Sequence, residues 1–251
     1  MSRIERVLDA ALAGHPEAAL SANATELLAE AGPIATVINA AFDRAPPGMT
    51  GHLSVTQPFR STGLDTQLVN SLVHPDPDVR IAAARLCAAL RLADSVPWLG
   101  DLVKDPNAKV QDAAIRALGR LGGHRAVDLL MTLVDREPRY RLAIELSHAA
   151  SDLDIERLMR KPATIEAAVV TVLACGLRKD RLRVNSLLGI AHDRRWPPTV
   201  RVAACRALAM IGDPATAVGL RGLVTEPDTS VQQAAAKAHR RFERNAPAGP
   251  S

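Results

Sequence analysis

The chain has 251 residues, of which 47% are hydrophobic and only 2% aromatic, and it carries a formal net charge of +4. So few rings leave the core to Ala, Leu and Val, which suits closely packed helices. The charge is spread along the chain, favouring solubility and weak affinity for anions without naming one. Cys87, Cys175 and Cys205 form an odd set with no C-x-x-C pair, which excludes a disulfide scaffold and reads as buried thiols in a reducing compartment. The longest apolar run, Ala167 to Gly176, is too short to span a bilayer.

Taken in chain order, the first residues, Ser2-Arg-Ile-Glu-Arg-Val-Leu-Asp, mix charge into an amphipathic pattern and lack the continuous apolar region of a signal peptide. The expected location is the cytoplasm. Helices are predicted at 3–13, 17–30 and 33–44, broken at Gly14-His15-Pro16 and Gly32-Pro33. Residues 1–44 are expected to act as an N-terminal cap. Residues 45–63, rich in Pro and Gly, form a loop too long for an ordinary connection, read either as a spacer or as an arm contacting a partner through Phe59 and Arg60.

From residue 64 to 244 the pattern predicts six helix pairs: 64–73 with 78–90, 95–103 with 108–121, 125–135 with 139–150, 152–160 with 164–175, 181–193 with 199–211, and 215–225 with 230–244. Residues 245–251 are expected to be a disordered tail. Val110-Gln-Asp-Ala-Ala-Ile-Arg-Ala-Leu-Gly-Arg-Leu-Gly122 recurs as Val200-Arg-Val-Ala-Ala-Cys-Arg-Ala-Leu-Ala-Met-Ile-Gly212, and less closely from Val79 and Val231. Each copy follows a Pro-containing turn, and neighbouring copies lie about 31 residues apart, the length of one helix–turn–helix unit. Val110, Ala113, Ala114, Ala117, Leu118 and Leu121 fall on one helical face. Gly122 and Gly212 follow as expected left-handed caps. The interval between Val110 and Val200 has room for two more, degenerate units.

The stretch Asp105-Pro-Asn-Ala-Lys-Val-Gln-Asp-Ala-Ala-Ile-Arg-Ala-Leu-Gly-Arg-Leu-Gly122 resembles the bacterial HEAT-like repeat first associated with phycobilin lyases, and Val79-Arg80, Val200-Arg201, Ala203-Ala204 and Ala207-Leu208 continue the match. The prevalence of Arg over Lys and the abundance of Ala suit a GC-rich, bacterial genome. The resemblance implies an all-α fold, an α-solenoid of HEAT-like helical hairpins, with the Val-Arg helix second in each pair and lining a concave surface. Such arrays serve as scaffolds, lyases, regulators and DNA glycosylases, so the fold leaves function open.

No enzyme signature stands out. The seven histidines are scattered, no Walker loop, H-E-x-x-H or G-x-S-x-G occurs, and no metal or cofactor is implied. Asp152, Asp154 and Glu156 read as a helix start, where anions complement the N-terminal dipole. Base excision would need aromatic walls and a carboxylate. Trp98 with Asp101 and Trp196 with Asp193 meet that description only as pairs in sequence, and both tryptophans are expected to pack between repeats. The constellation that remains is positional: Arg85, Arg116, Arg206 and Lys237 occupy one place in four aligned copies, about 10 Å apart from repeat to repeat by helix packing distances. The row is interrupted in the degenerate units, where Leu146 and Val170 or Thr171 are read at that place. Arg194 and Arg195, with Arg178, Lys179, Arg181 and Arg183, thicken the charge nearby.

Solvated helix flanks, an acidic protein partner and nucleic acid are the readings open for this row. The expected function is a non-enzymatic scaffold or adaptor that binds a protein in its groove, the partner being acidic or the cytoplasmic face of a membrane enzyme. Tetrapyrrole handling, which rests on the family resemblance, and nucleic-acid binding are the alternatives.

Overall fold

Short helices punctuated by Pro and Asp dominate the computed structural model, which describes residues 24–32, 34–36, 63–213 and 216–245. The expected helix 3–13, the loop bearing Phe59 and Arg60, and the tail after residue 245 lie outside the described residues. Among the described residues every regular element is helical. The chain divides into two compact units, Met1–Leu129 and Leu130–Ser251.

The first unit contains α1 (Ala24–Ala29), α2 (Leu64–Asn70), α3 (Pro77–Ala89), α4 (Val96–Leu102) and α5 (Ala108–Leu121), and α6 (His124–Met131) begins in it. The starts follow from local chemistry. Asp76 precedes Pro77 and accepts the Asp78 amide at 2.9 Å, while Asn107 accepts that of Lys109 at 2.9 Å, so each short polar side chain satisfies an otherwise orphaned donor. α3 packs on α5, the second helices of successive pairs, with α2 and α4 set against them and α1 against α2 and α3. Val110, Ala113, Ala114, Ala117 and Leu118 are buried as expected. Ile115 is buried as well and Leu121 is only half-buried, because α5 meets neighbours on more than one side.

The second unit contains α7 (Arg139–Ala149), α8 (Asp152–Arg160), α9 (Ile165–Leu177), α10 (Val184–His192), α11 (Pro198–Ile211), α12 (Thr216–Arg221) and α13 (Thr229–Asn245). Again the second helices stack in order, α7 on α9, α9 on α11 and α11 on α13, with α8, α10 and α12 against their partners. Each unit thus has the stacked helix pairs of an α-solenoid. Ser151 and Asp154 form a reciprocal capping box at the start of α8, which bears out the reading of the acidic cluster as a helix start. α9 is buried on every side from Ala167 to Gly176, the condition of a helix between two neighbours. Its close approach to α11 needs a missing side chain: a Cβ on Gly176 would lie 2.6 Å from the Cα of Ala207.

Two details depart from expectation. Gly212 ends α11 in the left-handed region, but Gly122 pairs a positive φ of 66° with ψ of −164°, a conformation still reserved for glycine but not the expected cap. Trp196 packs as expected beside Leu158, Met159 and Ile190, whereas Trp98 is 44% exposed and is not a buried wedge between repeats. The three cysteines are buried and unpaired, and desolvation pushes the thiols of Cys87 and Cys175 up to about 12.

Candidate functional site

The arginine of the Val-Arg motif is a structural group, and its geometry shows why the repeat carries it. Arg80 on α3 reaches forward to the turn between the two helices of the next pair, placing Nε 2.9 Å and Nη2 3.0 Å from the two carboxylate oxygens of Asp105, and its Nη1 donates to the carbonyls of His74 and Pro75. Arg201 on α11 does the same in the second unit: Nε donates to the carbonyl of Ala191 and Nη1 to Glu226 at 3.0 Å. Asp105 and Glu226 each stand before the turn proline. Where the motif position is Gln, as in Gln111 and Gln232, the side-chain amide instead donates to a carbonyl of its own turn, Asp105 or Val224.

The next exposed turn of the same helices carries the expected cationic row. Arg85 and Arg116 are exposed on α3 and α5 of the first unit, and Arg116 pairs with Asp112 one turn back on its own helix. Arg206 and Lys237 are exposed on α11 and α13 of the second unit. The latter two are brought together on a concave feature. Arg194 and Arg195 are both exposed and do not line it: Arg194 pairs with Glu226, and Arg195 is bound to Asp193, whose carboxyl it holds below the usual carboxylate range. Leu146, Val170 and Thr171 are all buried, so they do not occupy the row's place. The degenerate sequences of α7 and α9 lack the Arg that would have fixed the register.

The concave feature is a groove of about 980 Å³ lined by residues of α7, α9, α11 and α13. Val169 and Leu173 of α9, Val202 and Met210 of α11, and Ala234 and Ala238 of α13 contribute an apolar floor. Arg139, Arg206, Lys237 and Arg241 line it together with Tyr140, and no Asp or Glu does. Arg139 is neutralised by Glu166 at 3.0 Å, but no ion pair engages Arg206, Lys237 or Arg241 among the described residues. Burial pushes the thiol of Cys205, which also lines the groove, up to about 11, so it stays protonated at neutral pH.

Sequence reasoning identified Arg206 and Lys237 and missed Arg139, Tyr140 and Leu173. It missed Arg241 as well, which faces the groove with Lys237. The four-residue spacing of Lys237 and Arg241 was the available signal, since it puts both on one helical face. Tyr140, 55% exposed, is the sole tyrosine of the chain, and nothing in the repeat pattern points to its place. No group of three or more His, Cys, Asp or Glu among the described residues could hold a metal ion, and no helix among them is long and apolar enough to cross a membrane.

Comparison with known proteins agrees with the helical pairs. The family model of HEAT repeats matches residues 66–149, and this stretch is a run of HEAT repeats. Over 107 residues the chain is 32% identical to deoxyhypusine hydroxylase of Gallus gallus, a match covering 42% of this chain and 36% of that protein, so it spans about a third of its relative. Among solved structures it is similar to human deoxyhypusine hydroxylase in complex with glycerol, at 18% identity and a TM-score of 0.38, over 96% of this chain and 97% of that one. It is also similar to the CpcE–CpcF complex of phycocyanin lyase from Nostoc sp. PCC7120, at 15% identity and a TM-score of 0.36, over 84% and 94% of the two chains.

Proposed function

We propose that this chain is a non-enzymatic adaptor that holds a protein partner in the groove of its second unit. The observation that carries this reading is the groove itself: an apolar floor from α9, α11 and α13, flanked by α7, with cations and no acid along its lining. Apolar floors supply association energy when covered, at about 25 cal/mol per Å² removed from water. The charges of Arg206, Lys237 and Arg241, which have no acidic partner among the described residues, select the sign of what covers it. Arg85 and Arg116 are an independent exposed pair on the first unit. Phe59 and Arg60 remain candidate contacts of an arm on the sequence reading alone.

The test is affinity purification from the native cell of wild type, an Arg206→Glu/Lys237→Glu double variant and an Arg160→Glu control, whose charge sits on α8 away from the groove. The double variant should lose a stoichiometric partner that wild type and control retain, with helical circular dichroism unchanged in all three. Retention of every partner by the double variant would remove the groove from the reading.

A further inference from the structure

We propose that the occupant of this groove is an amphipathic helix with acidic residues gathered at one end, and that this end lies over α11 and α13. The proposal rests on the adaptor reading and adds the chemistry of the partner. Charge along the groove is lopsided. Arg206, Lys237 and Arg241 face it from α11 and α13 without an acidic partner among the described residues, while at the α7 end Arg139 is already matched by Glu166. Between the ends Val169 and Leu173 of α9 offer only hydrocarbon. An occupant complementary to this surface is anionic at one end and apolar along the rest of the buried face.

Backbone chemistry decides between a helix and an extended strand. Every regular element described in this unit is a helix whose peptide groups are already bonded internally, so the groove has no sheet edge to pair with. An extended segment would press unpaired N–H and C=O groups against an apolar floor, at the cost of burying them unsatisfied. A helical segment satisfies its own backbone and presents a continuous stripe at i, i+3, i+4 and i+7. Length agrees. Four successive helices span three interaxial spacings, about 24–30 Å, which is about 16–20 residues of helix at about 1.5 Å per residue. These three cations then need acids only within the last turn or two, because Lys237 and Arg241 lie one turn apart on a single face.

The experiment titrates full-length protein into a fluorescein-labelled model helix of about 18 residues bearing a Leu stripe and Glu residues confined to one end. Two control peptides are measured beside it, one with Glu replaced by Gln and one of the same composition with the stripe scrambled. Anisotropy is read at about 0.05 and 0.5 M salt. Saturable binding is expected, weakened about tenfold or more by the Gln peptide, by high salt, and by Arg206→Glu/Lys237→Glu. Arg241→Glu alone should weaken it in the same direction. These side chains are exposed, and circular dichroism verifies that each variant keeps its helix content. Absence of saturable binding, equal affinity for the scrambled peptide, or an unchanged Kd in the charge-reversed variants would overturn the proposal. So would occupation of the same residues by duplex DNA or by a second copy of the chain in place of the peptide. If the peptide fails while a cellular partner still depends on Arg206 and Lys237, the helix falls and the adaptor reading stands. If that partner ignores both residues, both readings fall.

Discussion

The two motif arginines do different work from the two that follow them five residues later, although a sequence repeat presents all four alike. Arg201 and Glu226 are 4% and 9% exposed at the side chain, and Glu226 sits in the turn between the two helices of the next pair, so their contact ties one repeat to its successor. The bond from Arg201, ahead of the charge of Arg194, holds the Glu226 carboxyl below the usual range. A carboxyl whose pKa falls on folding contributes stability that is present above its ordinary value, near 4.5, and is lost as pH falls through the depressed native value. Glu226→Gln keeps an acceptor of the same shape and removes the charge. Wild type should therefore be more stable than the variant at neutral pH, with the gap closing as the solution is acidified below about pH 4.5 in denaturant titrations. A gap of constant size across that window would show that charge on Glu226 is not what links these repeats.

At the level of elements, the same rule builds both units: a Pro turn, a short cap, and a second helix whose small residues admit its neighbours. Leu118 on α5 and Leu208 on α11 are fully buried at equivalent places. Truncating either to Ala should cost about 2–5 kcal/mol, from lost transfer energy and the cavity left behind. Chemical denaturation measures this, and a loss of a few tenths in either would mean that the two helices do not share a register. Much of this fold was legible because Val, the double Ala and Leu repeat at helical spacing, and because Asp76, Asn107 and Ser151 announce helix starts. The positions that were misread are those with weaker signals. The α9 sequence is apolar all round, so its periodicity cannot say which residues face the groove, and Leu173 went unseen while Val170 or Thr171 was read at that place. Arg241 also went unseen, because charge alone does not tell a groove lining from a solvated flank.

For the whole molecule, the site was legible only in part because an aligned row of cations describes four repeats, while the groove belongs to one compact unit. Arg85 and Arg116 share the motif position with Arg206 and Lys237 but not the groove, which is lined entirely by residues after 130. The other unit has a different structural need, the covering of its first repeat. A solenoid repeat buries its apolar face only against neighbours, so the first one requires a cap. Leu27 and Ile34 are buried, and α1 packs on α2 and α3; we propose that the sequence before residue 44 supplies that cover. Deleting residues 1–44 should expose the faces of α2 and α3 that α1 covers, lower the unfolding midpoint and drive association, read by thermal unfolding and sedimentation velocity. Trimming 246–251 is the control and should change neither. A protein beginning near Gly63 that stays monomeric with an unaltered midpoint would show that the N-terminal segment is a separate module, and that α2 and α3 close the array without it.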